Sequence, residues 1–174
     1  MENSIRAGAD IVAVGLSVAP AADRLDLSVE DNGPGLAVAP AQATDPFYTT
    51  KSGKRTGLGL SLFRTAGEQA GGALALDRSA LGGLAVHGRM QLRHVDRKPL
   101  GDLAASLWTA ACTNPAVDVR FRLCAGGAER TVSSRTVAAE LGAGGTDALA
   151  VAEVFAERVR AALAAAATDG AAWR

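Results

Sequence analysis

The sequence predicts an α/β fold, a sandwich of strands and helices followed by a smaller α/β unit. Two repeating patterns and the chain length predict it. Apolar residues alternate with polar ones at Leu25, Leu27 and Val29, at Leu84, Val86, Met90 and Leu92, and at Val117, Val119, Phe121 and Leu123, the period of strands with one wet face. Apolar residues recur with helical spacing at Leu58, Leu62, Phe63, Ala66 and Ala70, at Leu103, Leu107, Trp108 and Ala111, and at Val151, Val154, Phe155, Val159 and Ala162. A chain of 174 residues accommodates one domain, or one with a small appendage, around a substantial core.

In order along the chain, Met1, Ile5 and Ala9 share one face of a first helix and Asn3, Arg6 and Ala7 another. Ile11 to Val18 is apolar enough for a buried strand, Pro20 to Asp23 forms a turn, and the strand around Leu25 to Glu30 ends at Asp31. Ala37 to Thr44 reads as a loop or a short helix. The helix beginning near Leu58 stops at Gly71-Gly72, a left-handed cap. Ala73 to Leu76 and Leu84 to Leu92 are strands joined around Leu81-Gly82-Gly83, with His87 on the polar face. The Leu103 helix is stopped by Asn114-Pro115. A strand with Asp118, Arg120 and Arg122 on its wet side turns at Gly126-Gly127, and Arg130 to Val132 pairs back. Helices from Ser134 to Leu141 and from Thr146 to Ala167 complete the chain, and the last residues fray.

Composition removes several function classes. With 18 basic and 18 acidic residues, no global electrostatic pull toward nucleic acid or a membrane surface is expected. Cys112 and Cys124 lie too far apart for a CxxC pair and have no nearby histidine, so reduced, mostly buried thiols are expected. No apolar run approaches the length of about 18 residues that a membrane span needs, and the start lacks the signal-peptide pattern, so a cytoplasmic location is expected. His87 and His94 are isolated, and neither reads as a phosphate acceptor.

The chemistry concentrates in Asp45 to Ser61, DPFYTTKSGKRTGLGLS. Thr49, Thr50, Lys51, Lys54 and Arg55 gather hydroxyls and positive charge in one loop, which suits phosphates. Thr56, Gly57, Leu58, Gly59 and Leu60 then put two glycines at a helix start, where a backbone can approach an anion and free N–H groups face it. A solvated basic surface is the plainer reading of the loop. Likewise Asn3 taken alone could be an N-cap, and DNGPG, Asp31 to Gly35, is by composition a strong turn signal.

Taken together and in order, ENS, DNGPG, PFYTT and TGLGL resemble the N, G1, F and G2 boxes of the GHKL ATPases, which include histidine kinases, type II topoisomerases and mismatch-repair ATPases. The resemblance implies a two-layer α/β sandwich that binds ATP with Mg2+. It implies that Asn3 coordinates the magnesium, that Glu2 stands at the general-base position, and that Asp31 accepts the adenine amino hydrogen. Gly33 and Gly35 would let the backbone pass under the base. Phe47 would wedge a lid against the body, Thr50 and Lys51 would reach the phosphates, and Thr56 to Leu60 would wrap them through Gly57 and Gly59. Met1 falls on the N box, so the family's first helical turns are expected to be missing.

The second half sharpens the likeness. HVDRKPLGDLAASL followed by NP resembles the small stand-alone histidine-kinase-like proteins encoded beside iron-only hydrogenase and ferredoxin-type subunits. This implies an ATP-binding domain over residues 1–95, a small α/β domain over 96–174, and no histidine-phosphotransfer domain in the chain. Two functions compete: an enzyme that hydrolyses ATP or passes its γ-phosphoryl group to a phospho-acceptor protein, and a non-catalytic ATP switch that binds a redox-enzyme partner. A structural subunit with a decayed pocket is the blander alternative. A topoisomerase or mismatch-repair role fits poorly, because the chain is short and neutral.

Overall fold

A computed structural model describes residues 1–45, 58–142 and 147–168. Its centre is a mixed six-stranded sheet in the order β3-β4-β2-β1-β5-β6. The strands are β1 (Ile11–Ala19), β2 (Arg24–Asp31), β3 (Ala73–Arg78), β4 (Leu84–Gln91), β5 (Asp118–Ala125) and β6 (Ala128–Ser133). The helices are α1 (Glu2–Arg6), α2 (Pro40–Ala43), α3 (Leu58–Gln69), α4 (Leu103–Thr113), α5 (Ser134–Glu140) and α6 (Ala148–Thr168). A single 3-10 turn, Pro20–Ala22, and a left-handed Asp23 return β1 into β2.

The alternation in the sequence decides which face of the sheet is covered. Val12, Val14, Leu16 and Val18 of β1 are buried, and their antiparallel partners Asp31, Val29, Leu27 and Leu25 share that face. Val119, Phe121, Leu123 and Ala125 of β5 continue it, and Leu107 of α4 with Phe155 and Val159 of α6 close over it. On the other side of the sheet's centre, Phe63 of α3 seats against Gly88 of β4, where a Cβ would lie 2.4 Å from the ring's Cζ. Gly71 has φ +68° and ends α3 in the left-handed cap that Gly71-Gly72 predicts.

The strands described after residue 95 join the same sheet. β5 pairs parallel to β1 along eight residues, from Ile11↔Asp118 to Val18↔Ala125, and β6 pairs back on β5. The boundary drawn after residue 95 therefore lies between elements of one continuous sheet.

Two sequence expectations need correction. Asp118 was placed on a wet face by its alternation with Val119, yet it is 2 % exposed. The cause is a set of donors brought around it: Ser133 Oγ donates to Asp118 Oδ1 at 2.7 Å, Arg120 Nε donates to Oδ2 at 2.7 Å, and the Arg135 amide donates to Oδ1 at 3.3 Å. Ser133 Oγ also accepts from the Thr136 amide, so Asp118 anchors the cap that starts α5. The second correction concerns the thiols. Cys112 and Cys124 are free, as expected, but each is half-buried: Cys112 of α4 packs against the core from its edge, and Cys124 lies on the opposite side of β5 from the buried Leu123 and Ala125.

Burial alone would push the Asp118 carboxyl up, but the Ser133 and Arg120 hydrogen bonds, the Arg135 amide and the Arg120 charge hold it below the ordinary value. A carboxylate whose folded pKa is depressed adds stability above the unfolded value of about 4, and that stability is lost as pH falls through the folded value. Asp118→Ala is expected to cost about 2–3 kcal/mol at pH 7, since three donors lose their acceptor. The gap between wild type and Asp118→Asn should narrow as pH drops from 7 toward 3, measured by chemical denaturation at each pH.

Candidate functional site

The site is built at the end of β2. Because Asp31 pairs with Val12 it emerges on the helix-covered face, where it is 4 % exposed. Its Oδ1 accepts two backbone amides, Gly33 N at 3.0 Å and Leu84 N at 3.0 Å. Its own carbonyl accepts from Gly83 N at 3.0 Å. These bonds fix the carboxyl plane from both sides. Among the described residues nothing donates to Oδ2, which is left to receive a donor from a ligand.

The loop between β3 and β4 acts as the wall that holds this carboxylate. Ser79 N donates to Gly83 O at 2.9 Å, Gly82 N to Ser79 O at 3.0 Å, and Leu81 N to Ser79 Oγ at 2.9 Å, while Ser79 Oγ donates to Glu30 Oε2 at 3.2 Å. The tight loop presses Gly83 against β2. A Cβ there would lie 2.2 Å from Asp31 Oδ1 and 2.6 Å from both Asp31 O and Gly33 N. Gly35, with φ +80°, completes the turn beneath, its missing Cβ 3.9 Å from Gly83 O. Asp31, Gly33 and Gly35 are thus brought together around Gly83.

Glu2 and Asn3 are presented by α1 on a separate segment. Both are exposed, and Glu2 pairs with Arg6 one turn on, Oε1 to Nη2 at 2.6 Å. Both charges are more than half exposed, so the pair contributes little stability and can open. Met1, not Asn3, occupies the N-cap position, which removes the capping explanation for Asn3. The buried residue of this helix is Ser4, so the face sharing Met1, Ile5 and Ala9 docks only in part within α1 itself. The segment after α1 reaches the Asp31 turn directly. Asn32 Oδ1 accepts from Asp10 N and Ile11 N, both at 2.9 Å, and a Cβ on Gly33 would lie 3.6 Å from the Ala9 Cβ.

The remaining candidates fall on the glycine-rich segment. Leu58 starts α3, and Gly59 and Leu60 lie in its first turn, where a Cβ on Gly59 would meet nothing within 4 Å. First-turn N–H groups of a 12-residue helix are suited to an anion. Phe47, Thr50, Lys51, Thr56 and Gly57 lie outside the described residues. On either side of that stretch, Arg64 Nη1 of α3 donates to Thr44 Oγ1 at 3.0 Å, joining α3 to the end of α2. A small cavity of about 90 Å³ lies elsewhere, between α4, α5 and α6, lined by Ala111, Val117, Ser134, Arg135 and Val151, and contains none of these residues.

Among the described residues, a carboxylate at a strand end is held by backbone amides over the DNGPG turn, and the α3 helix begins within TGLGL. Residues 1–94 match the family described as histidine kinase-, DNA gyrase B-, and HSP90-like ATPase. The chain belongs to this ATPase family. A comparison with curated proteins found no significant match. Membership in the GHKL ATPases makes residues 1–94 an ATP-binding type of domain, a type that generally uses Mg2+. The site residues fit that ligand: Asp31 offers an oriented acceptor edge, and Gly33 and Gly83 leave no side chain above it. Among the described residues no helix is long and apolar enough to cross a membrane.

Sequence reasoning passed over three members of this GHKL site. The sequence presents Gly83 and Leu84 only as a hairpin turn and the following strand, and Asn32 only as a position inside DNGPG with no role of its own. The Gly82-Gly83 pair was a signal of close backbone approach, but nothing local tells which distant strand it approaches.

Proposed function

We propose that this GHKL domain binds Mg-ATP and either hydrolyses it or passes the γ-phosphoryl group to a partner protein. The observation that carries the reading is the buried Asp31 carboxylate, with Oδ1 occupied by two amides and no donor on Oδ2 among the described residues, which would accept an exocyclic amino group. Asn3 would hold the magnesium together with phosphate oxygens, and the first turn of α3 with Lys51 would hold the phosphates. Bound magnesium would neutralise phosphate charge, which is most of what phosphoryl transfer requires of its site. Glu2, released from Arg6, would orient a water or an acceptor group toward the γ-phosphorus and take its proton. The bond from that phosphorus to the β,γ-bridging oxygen then breaks, leaving ADP.

In a second reading Glu2 keeps its pairing with Arg6, nucleotide is bound without turnover, and its binding switches contact with a partner. The likeness of residues 94–107 to proteins encoded beside hydrogenase-type subunits supports a redox enzyme as that partner. The readings separate cleanly. Mg-ATP at a hundred times its dissociation constant is expected to stabilise the wild type by about 2.7 kcal/mol and to leave Asp31→Ala unshifted in thermal unfolding. Glu2→Ala is expected to keep that shift while losing turnover if the chain is an ATPase. Wild-type turnover at background, with the shift intact, would establish the switch.

A further inference from the structure

The geometry assigns Asn32 as a positioning residue that sets the distance between the two ends of the bound nucleotide. This deepens the Mg-ATP reading and rests on it. The adenine end and the phosphate end belong to different segments: Asp31 closes β2, while Asn3 rides on α1. Asp31 needs no help from Asn32, because Gly33 N, Leu84 N and Gly83 N hold it from its own turn and from the β3–β4 loop. α1 is different. It has five residues, too few to be stable alone, and it leaves the sheet through Ala7, Gly8, Ala9 and Asp10, with Gly8 at φ +87° and no atom within 4 Å of a built Cβ.

Asn32 fixes that departure. Its single Oδ1 accepts both consecutive amides, Asp10 N and Ile11 N, at 2.9 Å each, across 22 and 21 residues of sequence. Its own amide donates to Ile11 O at 3.3 Å, so the same residue grips the start of β1 from two directions. On the far side Asp10 O accepts from Asp118 N at 2.8 Å, which leaves the backbone at Asp10 little freedom to follow a loosened α1. That oxygen is the side-chain acceptor that ties the backbone leaving α1, and with it Asn3 and Glu2, to the Asp31 turn. Asn32 touches neither adenine nor phosphate in this role. It acts by holding Asn3 in register with Asp31.

The consequence is selective. Without the acceptor, the adenine end keeps its contacts and the magnesium-phosphate end loses its registration. Asn32→Ala is expected to weaken Mg-ATP about tenfold, the loss of two hydrogen bonds, while adenosine binds within about twofold of wild type. Asn32→Asp keeps an oxygen that both amides can reach and is expected to restore Mg-ATP binding. Calorimetric titration with Mg-ATP and ligand-observed NMR with adenosine, on the full chain, read both effects. Should Asn32→Ala fail to fold, Asn32→Gln, one methylene too long to serve both amides, carries the same comparison. Equal weakening of both ligands, no weakening of either, or an Asn32→Asp variant as weak as Asn32→Ala would overturn the assignment. Wild type binding neither ligand would instead remove the nucleotide reading itself.

Discussion

Gly83→Ala is expected to abolish Mg-ATP binding and to lower stability by about 3 kcal/mol, although the change adds one methyl group. The new Cβ would fall 2.2 Å from Asp31 Oδ1 and 2.6 Å from Asp31 O and from Gly33 N. Two of those atoms are backbone, and the third is a carboxylate oxygen already bonded to two amides, so none can yield cheaply. Either the β3–β4 loop lifts, taking the Leu84 and Gly83 amides away from Asp31, or the DNGPG turn moves and carries the acceptor edge with it. Both routes disorder the proposed adenine contact. Gly82→Ala is the control. Gly82 has φ +108° with open space around its Cβ, so alanine there brings backbone strain of about 1–2 kcal/mol and no collision. It should keep the nucleotide-dependent rise in unfolding midpoint that Gly83→Ala loses. A Gly83→Ala protein that binds Mg-ATP like the wild type would show that Asp31 is not held from this loop.

The legible part of this protein was whatever local chemistry imposes on neighbours. Alternation at Leu25 to Val29 and at Val119 to Leu123 identified strands because burial repeats every second residue, and Gly71 announced a helix end because a left-handed cap excludes most side chains. Asp31, Gly33 and Gly35 were legible as one motif because a turn brings them together within five residues. What failed to show was long-range. The wet-face reading of Asp118 followed correctly from its own strand, and was overturned by Ser133 and Arg135, which lie 15 and 17 residues away. Gly83 and Leu84 reach Asp31 over a separation of about fifty residues, which no periodicity encodes. The parallel pairing of β5 with β1 was hidden for the same reason: both strands looked complete as local hairpins, and parallel partners share no turn.

That pairing leads to the second large expectation: a chain ending at residue 95 will not fold cooperatively. In the sheet order, β1 lies between β2 and β5, so removing residues 96–174 turns a central strand into an edge and strips the β5 partners from Ile11 to Val18. An apolar edge of that length invites pairing with other chains. The covered face loses more. Phe121 and Leu123 extend the face formed by Val14, Leu16 and Val18, and Leu107, Phe155 and Val159 close over it; all five are essentially inaccessible. At about 1.5–3 kcal/mol for each large side chain buried, five such residues represent stabilisation comparable to the 5–15 kcal/mol by which a whole domain is stable. The full chain is therefore expected to unfold in one calorimetric transition. Residues 1–95 alone should show no cooperative melt and no Mg-ATP-dependent shift, even though they contain every candidate nucleotide residue. A fragment that melts cooperatively and binds Mg-ATP would instead make residues 96–174 a dispensable appendage, and would relocate their role from holding the ATP site to recognising a partner.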